Sequence, residues 1–223
     1  MNSRPPSTLH LPPCFRVGIT GGIGSGKSTV CRIFEAMGIP VFYADAWAKH
    51  LLNFDPELRA GVTAIFGLEA YTPAGEYDRP AVAKMAFGQP EKLAALNALV
   101  HPAVEAESLG WHRRQAESGI PYTLKEAALM VESGSHRHLD FLIVVTAPEP
   151  LRIQRVVQRD GLTEEQVRAR IRNQLPESEK VALADFLVQN DGTRHLIPQA
   201  IAIHQTLLQH LKQTFPDFLQ QTL

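Results

Sequence analysis

The stretch GITGGIGSGKSTV, residues 18–30, places four glycines between an apolar run and a Lys-Ser-Thr sequence. From Gly21 to Ser28 it matches the phosphate-binding pattern G-x-x-x-x-G-K-[ST] without a departure. Glycine leaves room for backbone N–H groups to converge on phosphate oxygens, and it permits the unusual dihedral angles that this requires. The N-terminus of a following helix adds a favourable dipole. The stretch therefore predicts a nucleotide phosphate site.

The polar residues of the motif have separate expected roles. Lys27 reaches the β- and γ-phosphates, the Ser28 hydroxyl holds Mg²⁺, and Thr29 contacts the α-phosphate. The segments on either side fit this motif. Residues 15–20 (FRVGIT) read as a strand before the loop, and a helix is predicted after it, ending at Gly38, from the spacing of Val30, Ile33, Phe34 and Met37.

The remainder of the chain alternates between strand and helix patterns, which predicts an α/β fold with a parallel sheet of about five strands. Pro40 places the second strand near an edge or at its own start. The terminal helix repeats apolar residues at Ile197, Ile201, Leu208 and Leu211. The four further strands are predicted at residues 39–45, 120–129, 139–147 and 185–190.

Residues 46–119 are too many for a crossover between neighbouring parallel strands. Their pattern is mostly helical, with Leu93, Leu96 and Val100 on one face, and turn signals interrupt it at YTPAGEYDRP and at VHPAV. We expect a helical insert that covers or binds something.

Bulk properties exclude several classes of protein. The 223 residues carry 22 Lys and Arg against 23 Asp and Glu, so near-zero net charge gives no overall attraction to nucleic acid or to an anionic membrane. Charges interrupt every apolar run before it reaches membrane-spanning length.

Cys14 and Cys31 are too few for a disulfide framework, and Cys31 reads as a packing residue. Residues 1–14 lack a signal-peptide core and read as an extended or disordered arm, so the cytoplasm is the expected compartment.

Asp45 is the best candidate for a carboxylate that acts on an acceptor. It ends the predicted strand after the phosphate loop, and ligands of open α/β sheets gather at the carboxyl ends of strands. It would accept a proton from a hydroxyl group, as a kinase base does, or alternatively it would cap a helix. No Asn-Lys-x-Asp element of a GTPase is present, and the run FLIVV ends without the Asp of a motor or transport ATPase.

Arginines cluster downstream of the fourth predicted strand. Arg155 and Arg159 lie one helical turn apart, and the Thr163–Gln166 capping box opens a second helix that carries Arg168, Arg170 and Arg172. Two such helices would form a lid that excludes water and brings guanidinium charge to a transferred phosphoryl group. The alternative is a solvated basic face, paired in part with Glu164 and Glu165.

Several segments of the chain, the loop included, occur in this order: TGGIGSGKSTV, ADA (44–46), FG (66–67), YDRPAVAKMAF (77–87), LNALVHPAV (96–104), EAALMVESG (126–134), VVTAPEPLRIQRVVQRDGLTEEQVRARIRNQ (144–174) and ADFLVQNDG (184–192). Together they closely resemble the dephospho-coenzyme A kinases, and the resemblance extends from Phe15 to about Leu211. Its most specific parts are the Asp78–Arg79 pair, the His101–Pro102 element and the arginine lid.

The resemblance implies an ATP- and Mg²⁺-dependent kinase that phosphorylates the ribose 3′-hydroxyl of dephospho-coenzyme A, a small-molecule substrate. It implies one kinase domain over residues 15–215, with a nucleotide-kinase-like core (15–45 and 120–215), an acceptor-binding insert (46–119) and a lid at about 152–174. The implied site residues are Gly24, Ser25, Gly26, Lys27, Ser28 and Thr29 for ATP phosphates, Asp45 at the hydroxyl, Arg79 and His101 for the acceptor, Arg155, Arg159 and Arg170 in the lid, and Asn190 near the adenine.

Two departures from the family pattern and three alternatives stay open at this point. The family often has Asp-Ala-Asp where this chain has Tyr43-Ala44-Asp45, so a role for the first carboxylate in holding Mg²⁺ is in doubt, and Ala128 replaces a usual proline. His101 before a proline would alternatively fix a turn. The chain would otherwise be a kinase for nucleosides or nucleotides, or a regulator that binds ATP without transferring phosphate.

Overall fold

The computed structural model describes residues 13–216 and divides the chain into two compact units. Of the described residues, the core unit comprises 13–41 and 112–216, and the helical unit comprises 42–111. The predicted arm over residues 1–14 lies, apart from Pro13 and Cys14, outside the described residues.

A five-stranded sheet has the strand order β2-β3-β1-β4-β5, and all of its strands except β2 lie wholly within the core unit. The bounds are β1 Phe15–Thr20, β2 Val41–Tyr43, β3 Tyr122–Glu126, β4 Phe141–Thr146 and β5 Phe186–Gln189. The β1–β3, β1–β4 and β4–β5 pairs are parallel, and Val17 of β1 lies opposite Leu124 and Phe141. The predicted α/β fold with a parallel sheet is thereby confirmed, and β2 lies at the edge that Pro40 indicated.

Six helices flank or follow the strands of this unit, counting the end of α5. They are α1 Lys27–Ala36, α6 Glu149–Asp160, α7 Glu164–Arg172, α8 Glu177–Ala182, α9 Leu196–Thr214 and the C-terminal part of α5 Pro90–Glu117. The sheet core is apolar on both faces, since Val17, Ile19 and the central residues of β4 are buried. Cys31 is buried on α1, as predicted, and burial raises the pKa of its thiol.

The helical unit contains α2 Ala44–Phe54, α3 Pro56–Phe66, α4 Arg79–Ala86 and most of α5. Asp55 and Asp78 cap α3 and α4 by accepting hydrogen bonds from the N–H groups of Leu58 and Ala81, both at 2.9 Å. The predicted turn between α3 and α4 is closed by a bridge between Tyr71 and Tyr77.

Several predicted boundaries and faces are wrong. The second strand ends at Tyr43 rather than Asp45, because α2 begins at Ala44 and Asp45 lies within its first turn. VHPAV is not a turn, since α5 continues through Pro102. On α9 the buried face is Ala200, Ile203, Leu207 and Leu211, whereas Ile197 and Ile201 are exposed; on α5, Leu93 is exposed and Val100 is buried.

Among residues 13–216, no helix combines the length and the apolar character needed to cross a membrane.

Candidate active site

The phosphate loop lies between the end of β1 and the start of α1. Gly24 and Gly26 adopt φ angles of 77° and 98°, a region that residues with a side chain rarely occupy. Ser25 is buried, and its N–H group donates to the carbonyl of Gly22 at 3.1 Å. No side chain caps α1 at Gly26, so the N–H groups of its first turn face the loop without a side-chain acceptor there. This backbone is suited to an anionic ligand.

Lys27 folds back over this loop. Its ammonium group donates to the carbonyl of Gly21 at 3.0 Å and to that of Gly22 at 3.5 Å. The carboxylate of Glu126, the last residue of β3, lies 4.0 Å from the same nitrogen. The cation is therefore held at the mouth of the loop by polar groups, and it is placed to interact with a phosphate bound there. Ser28 and Thr29 are exposed on the first turn of α1.

Arg155 and Asn190 clamp the loop from two other elements. The amide nitrogen of Asn190, directly after β5, donates to the carbonyl of Ser25 at 2.7 Å. Arg155 of α6 donates from Nη2 to the Asn190 side-chain oxygen at 3.1 Å and to its backbone carbonyl at 3.2 Å, and from Nη1 to the Gly24 carbonyl at 3.4 Å. Both residues were expected at the nucleotide site, and in this structure they also fix the shape of the loop.

The other arginines of α6 and α7 differ in their surroundings. Arg159 is exposed and forms two hydrogen bonds with the neighbouring Asp160, at 2.7 and 2.9 Å, which lower the pKa of that carboxyl group. Arg168 pairs with Glu164 and Glu149, both at 2.8 Å, as the solvated-face alternative predicts for some of these residues. The capping box that opens α7 at Thr163 and Gln166 is confirmed.

Sequence reasoning did not single out Gln174, which contacts the loop directly. Its side-chain oxygen accepts a hydrogen bond from the N–H group of Ile23 at 2.9 Å. The next N–H group, of Leu175, donates to Glu132 at 3.0 Å, and the same carboxylate oxygen lies 2.7 Å from the buried Lys180 ammonium. The segment that follows α7 is thus attached at two successive residues. In the sequence, Gln174 is marked only as a polar residue directly after a predicted helix, and such residues are common.

Three predicted acceptor-side residues belong to the helical unit, on three different helices. Asp45 lies in the first turn of α2, Arg79 begins α4, and His101 lies within α5; all three are exposed. Tyr43, not Asp45, occupies the N-cap position of α2, so the capping alternative for Asp45 is wrong. The turn alternative for His101 is wrong as well, because the backbone is helical there.

The described residues contain no group of three or more His, Cys, Asp or Glu side chains arranged to hold a metal ion. Mg²⁺ is usually bound through one or two protein oxygens together with substrate phosphates. The exposed hydroxyl of Ser28, next to the loop, fits that mode of binding.

Comparisons with known proteins show which family the chain is similar to. The family model described as dephospho-CoA kinase matches residues 15–195. A dephospho-CoA kinase of Chlorobaculum tepidum is 44% identical over 197 residues, covering 86% of this chain and 94% of the relative. A crystal structure from Thermus thermophilus has a TM-score of 0.76 and 33% identity, with coverage of 87% of this chain and 97% of the other. A dephospho-CoA kinase structure from Campylobacter jejuni has a TM-score of 0.64 and 26% identity, with coverage of 85% and 95%. Over residues 15–195, this chain belongs to the dephospho-CoA kinase family.

Proposed function

We propose that this chain transfers the terminal phosphoryl group of ATP to the ribose 3′-hydroxyl of dephospho-CoA, with CoA and ADP as products. The observation that carries the proposal is the complete phosphate loop, fixed by Arg155 and Asn190, in a member of this family.

The donor side is formed by the loop and the first turn of α1. Residues 24–29 would surround the ATP phosphates, with backbone N–H groups as the main donors. Ser28 would hold Mg²⁺, which when bound neutralises phosphate charge. Lys27 would exchange its present contacts with the carbonyls of Gly21 and Gly22 for phosphate oxygens. Its charge then stabilises the negative charge on the group in transfer.

The acceptor side is formed by residues of the helical unit. We assign Asp45 to the hydroxyl group: its carboxylate accepts the 3′-hydroxyl proton while that oxygen bonds to phosphorus and the bond to the ADP oxygen breaks. Arg79 and His101 would bind the acceptor. Their exposure in the structure leaves all three side chains accessible to a ligand.

The lid arginines would complete the site. Arg155 supports the loop and the adenine side together with Asn190. Arg159 and Arg170 would exchange their solvated surroundings for phosphate oxygens when substrates are bound, which adds positive charge where the transition state is negative. We place the reaction in the cytoplasm, in keeping with the two free thiols Cys14 and Cys31.

The substitution Asp45→Asn tests the assignment on the acceptor side. We expect the dissociation constant for ATP to stay within about twofold while kcat falls by about 10²–10⁴-fold, the usual contribution of a positioned base. The matched control is Asp55→Asn, on the next helix, because asparagine caps a helix as well as aspartate does. The assignment is wrong if Asp45→Asn weakens ATP binding and leaves turnover per bound ATP intact.

A further inference from the structure

A cavity of about 560 Å³ lies within the core unit beside the phosphate loop. It is bounded by Gly22 of the loop, the start of α6, and the segment from the end of α7 into α8. The charged side chains that line it are Glu149, Arg152, Arg172, Glu177 and Lys180. Arg152 and Arg172 lie within the predicted lid, but none of these five side chains has been assigned a ligand above.

Arg152 is the charged group of this cavity whose surroundings need explanation. It is only 7% exposed, and its Nε atom has no hydrogen-bond partner among the described residues. Arg152 forms an ion pair with Glu149, but the carboxylate oxygen lies 3.9 Å from Nη2, which is beyond hydrogen-bond distance. Glu149 is half-exposed and makes a shorter contact, 2.8 Å, with Arg168. Arg152 is therefore a buried cation whose ion pair is long and whose Nε donor is unsatisfied.

The other buried cation of the cavity differs in this respect. Lys180 is 1% exposed, but Glu132 lies 2.7 Å from its ammonium group and compensates the charge. Buried charges in proteins are normally paired, because removing an ion from water costs several kcal/mol. Arg152 has an ion pair at 3.9 Å where Lys180 has one at 2.7 Å, so the charge of Arg152 is compensated less closely and its guanidinium retains the capacity to bind a further anion.

The position of Arg152 next to the loop identifies the kind of anion. A Cβ atom at Gly22 would collide with Nη1 of Arg152 and lie 3.0 Å from its Cζ, so glycine at this position permits the guanidinium to lie against the loop. A Cβ atom at Gly24 would likewise collide with the backbone carbonyl of Arg152. A planar guanidinium at this distance from a phosphate loop is suited to phosphoryl oxygens, which it binds through two N–H groups at once.

We propose that the cavity is a phosphoryl-binding subsite and that Arg152 is the residue that binds the anion. The phosphoryl oxygens would come from the terminal phosphate of ATP or from the diphosphate of the acceptor. If the acceptor supplies the phosphoryl oxygens, the inference rests on the proposed function. If ATP supplies them, the inference applies to any kinase that uses this loop.

The substitution Arg152→Gln separates the two sources. If the terminal phosphate of ATP is bound, the dissociation constant for ATP rises by about 10–100-fold and that for ADP stays within about twofold, since a charge-assisted pair is lost from ATP alone. If the acceptor diphosphate is bound, both nucleotide constants stay unchanged and the KM for dephospho-CoA rises by a similar factor. Either selective loss supports the proposal. Equal weakening of ATP and ADP, a fall in kcat alone, or no change overturns it.

The matched control is Arg168→Gln, because Arg168 shares the partner Glu149 but is half-exposed and does not line the cavity. All three constants should stay within about twofold in that variant. Should Arg152→Gln fail to fold, Arg152→Lys retains the charge but not the two-pronged geometry, and the same selective pattern is expected at about three- to tenfold. Absence of turnover with dephospho-CoA in the unsubstituted protein would refute the proposed function while leaving the comparison of ATP with ADP intact.

Discussion

Replacement of Asn190 by alanine should loosen the phosphate loop and weaken ATP binding by a predictable amount. The side chain joins β5 to the loop, since its nitrogen donates to the Ser25 carbonyl at 2.7 Å and its oxygen accepts from Arg155 at 3.1 Å. A neutral hydrogen bond contributes about 1 kcal/mol and one to a charged group about 1.5–3 kcal/mol. Arg155 keeps its contacts with the backbone carbonyls of Asn190 and Gly24, which reduces the loss. We therefore expect a loss of about 2 kcal/mol, which is roughly 30-fold in the dissociation constant.

Calorimetric titration with ATP in the absence of acceptor measures this constant directly. Asn97→Ala is the control, since Asn97 is an exposed asparagine of α5, and its dissociation constant should match that of the unsubstituted protein. A thermal melt of each variant shows that the protein titrated is folded. An unchanged ATP constant for a folded Asn190→Ala protein would refute the role of this clamp in shaping the loop.

Three further substitutions test other parts of the structure. Glu132→Gln leaves the Lys180 charge buried without its partner and should lower the free energy of unfolding by about 3–5 kcal/mol in urea titrations. The double variant Glu132→Gln/Lys180→Met should recover most of that lost stability. If the losses of the two single variants simply add in the double variant, the pairing is contradicted. Burial raises the pKa of the Cys31 thiol above its ordinary value of 9.0, so the unfolded chain loses that proton first and stability falls as the pH rises beyond 9.0. In Cys31→Ala the free energy of unfolding, measured by urea titration at successive pH values, should fall less steeply with rising pH. An identical dependence on pH in the two proteins would contradict the reasoning. Lys27→Ala should weaken ATP binding and lower kcat together, and a normal kcat at saturating ATP would exclude its role in transfer.

The fold was predictable because most of its signals are local. Each predicted strand exists, and the buried run of β4 was recognisable from its nearly continuous apolar sequence. The errors arise where the surrounding structure overrides the local conformational preference of a residue. Pro102 predicts a break, yet α5 continues through it, and Asp45 looked like a strand end although the helix begins one residue earlier. Residue spacing also put Leu93 and Val100 on one face of α5, yet Leu93 is exposed and Val100 is buried.

The residues of the candidate site likewise fall into those that a local sequence pattern predicts and those that it does not. The phosphate loop is a local motif, so its residues were found without a structure, and the family resemblance drawn from the wider sequence is confirmed. The contacts of Gln174 with Ile23 and of Glu132 with Lys180 join segments far apart in the chain, and no local pattern announces them. Nothing in the sequence distinguishes Arg152 from the other arginines of α6 and α7, whereas its burial and its position against Gly22 do so in the structure. The roles assigned to Asp45, Arg79 and His101 remain predictions.

The most direct test of the central claim is a coupled assay of ADP release with the purified protein, ATP and Mg²⁺. Dephospho-CoA, adenosine and AMP are supplied in turn as acceptors, and the product is analysed for a 3′-phosphate. The account predicts turnover with dephospho-CoA alone and a product that is CoA. Turnover that prefers adenosine or AMP, or no turnover with any of the three acceptors, would contradict it.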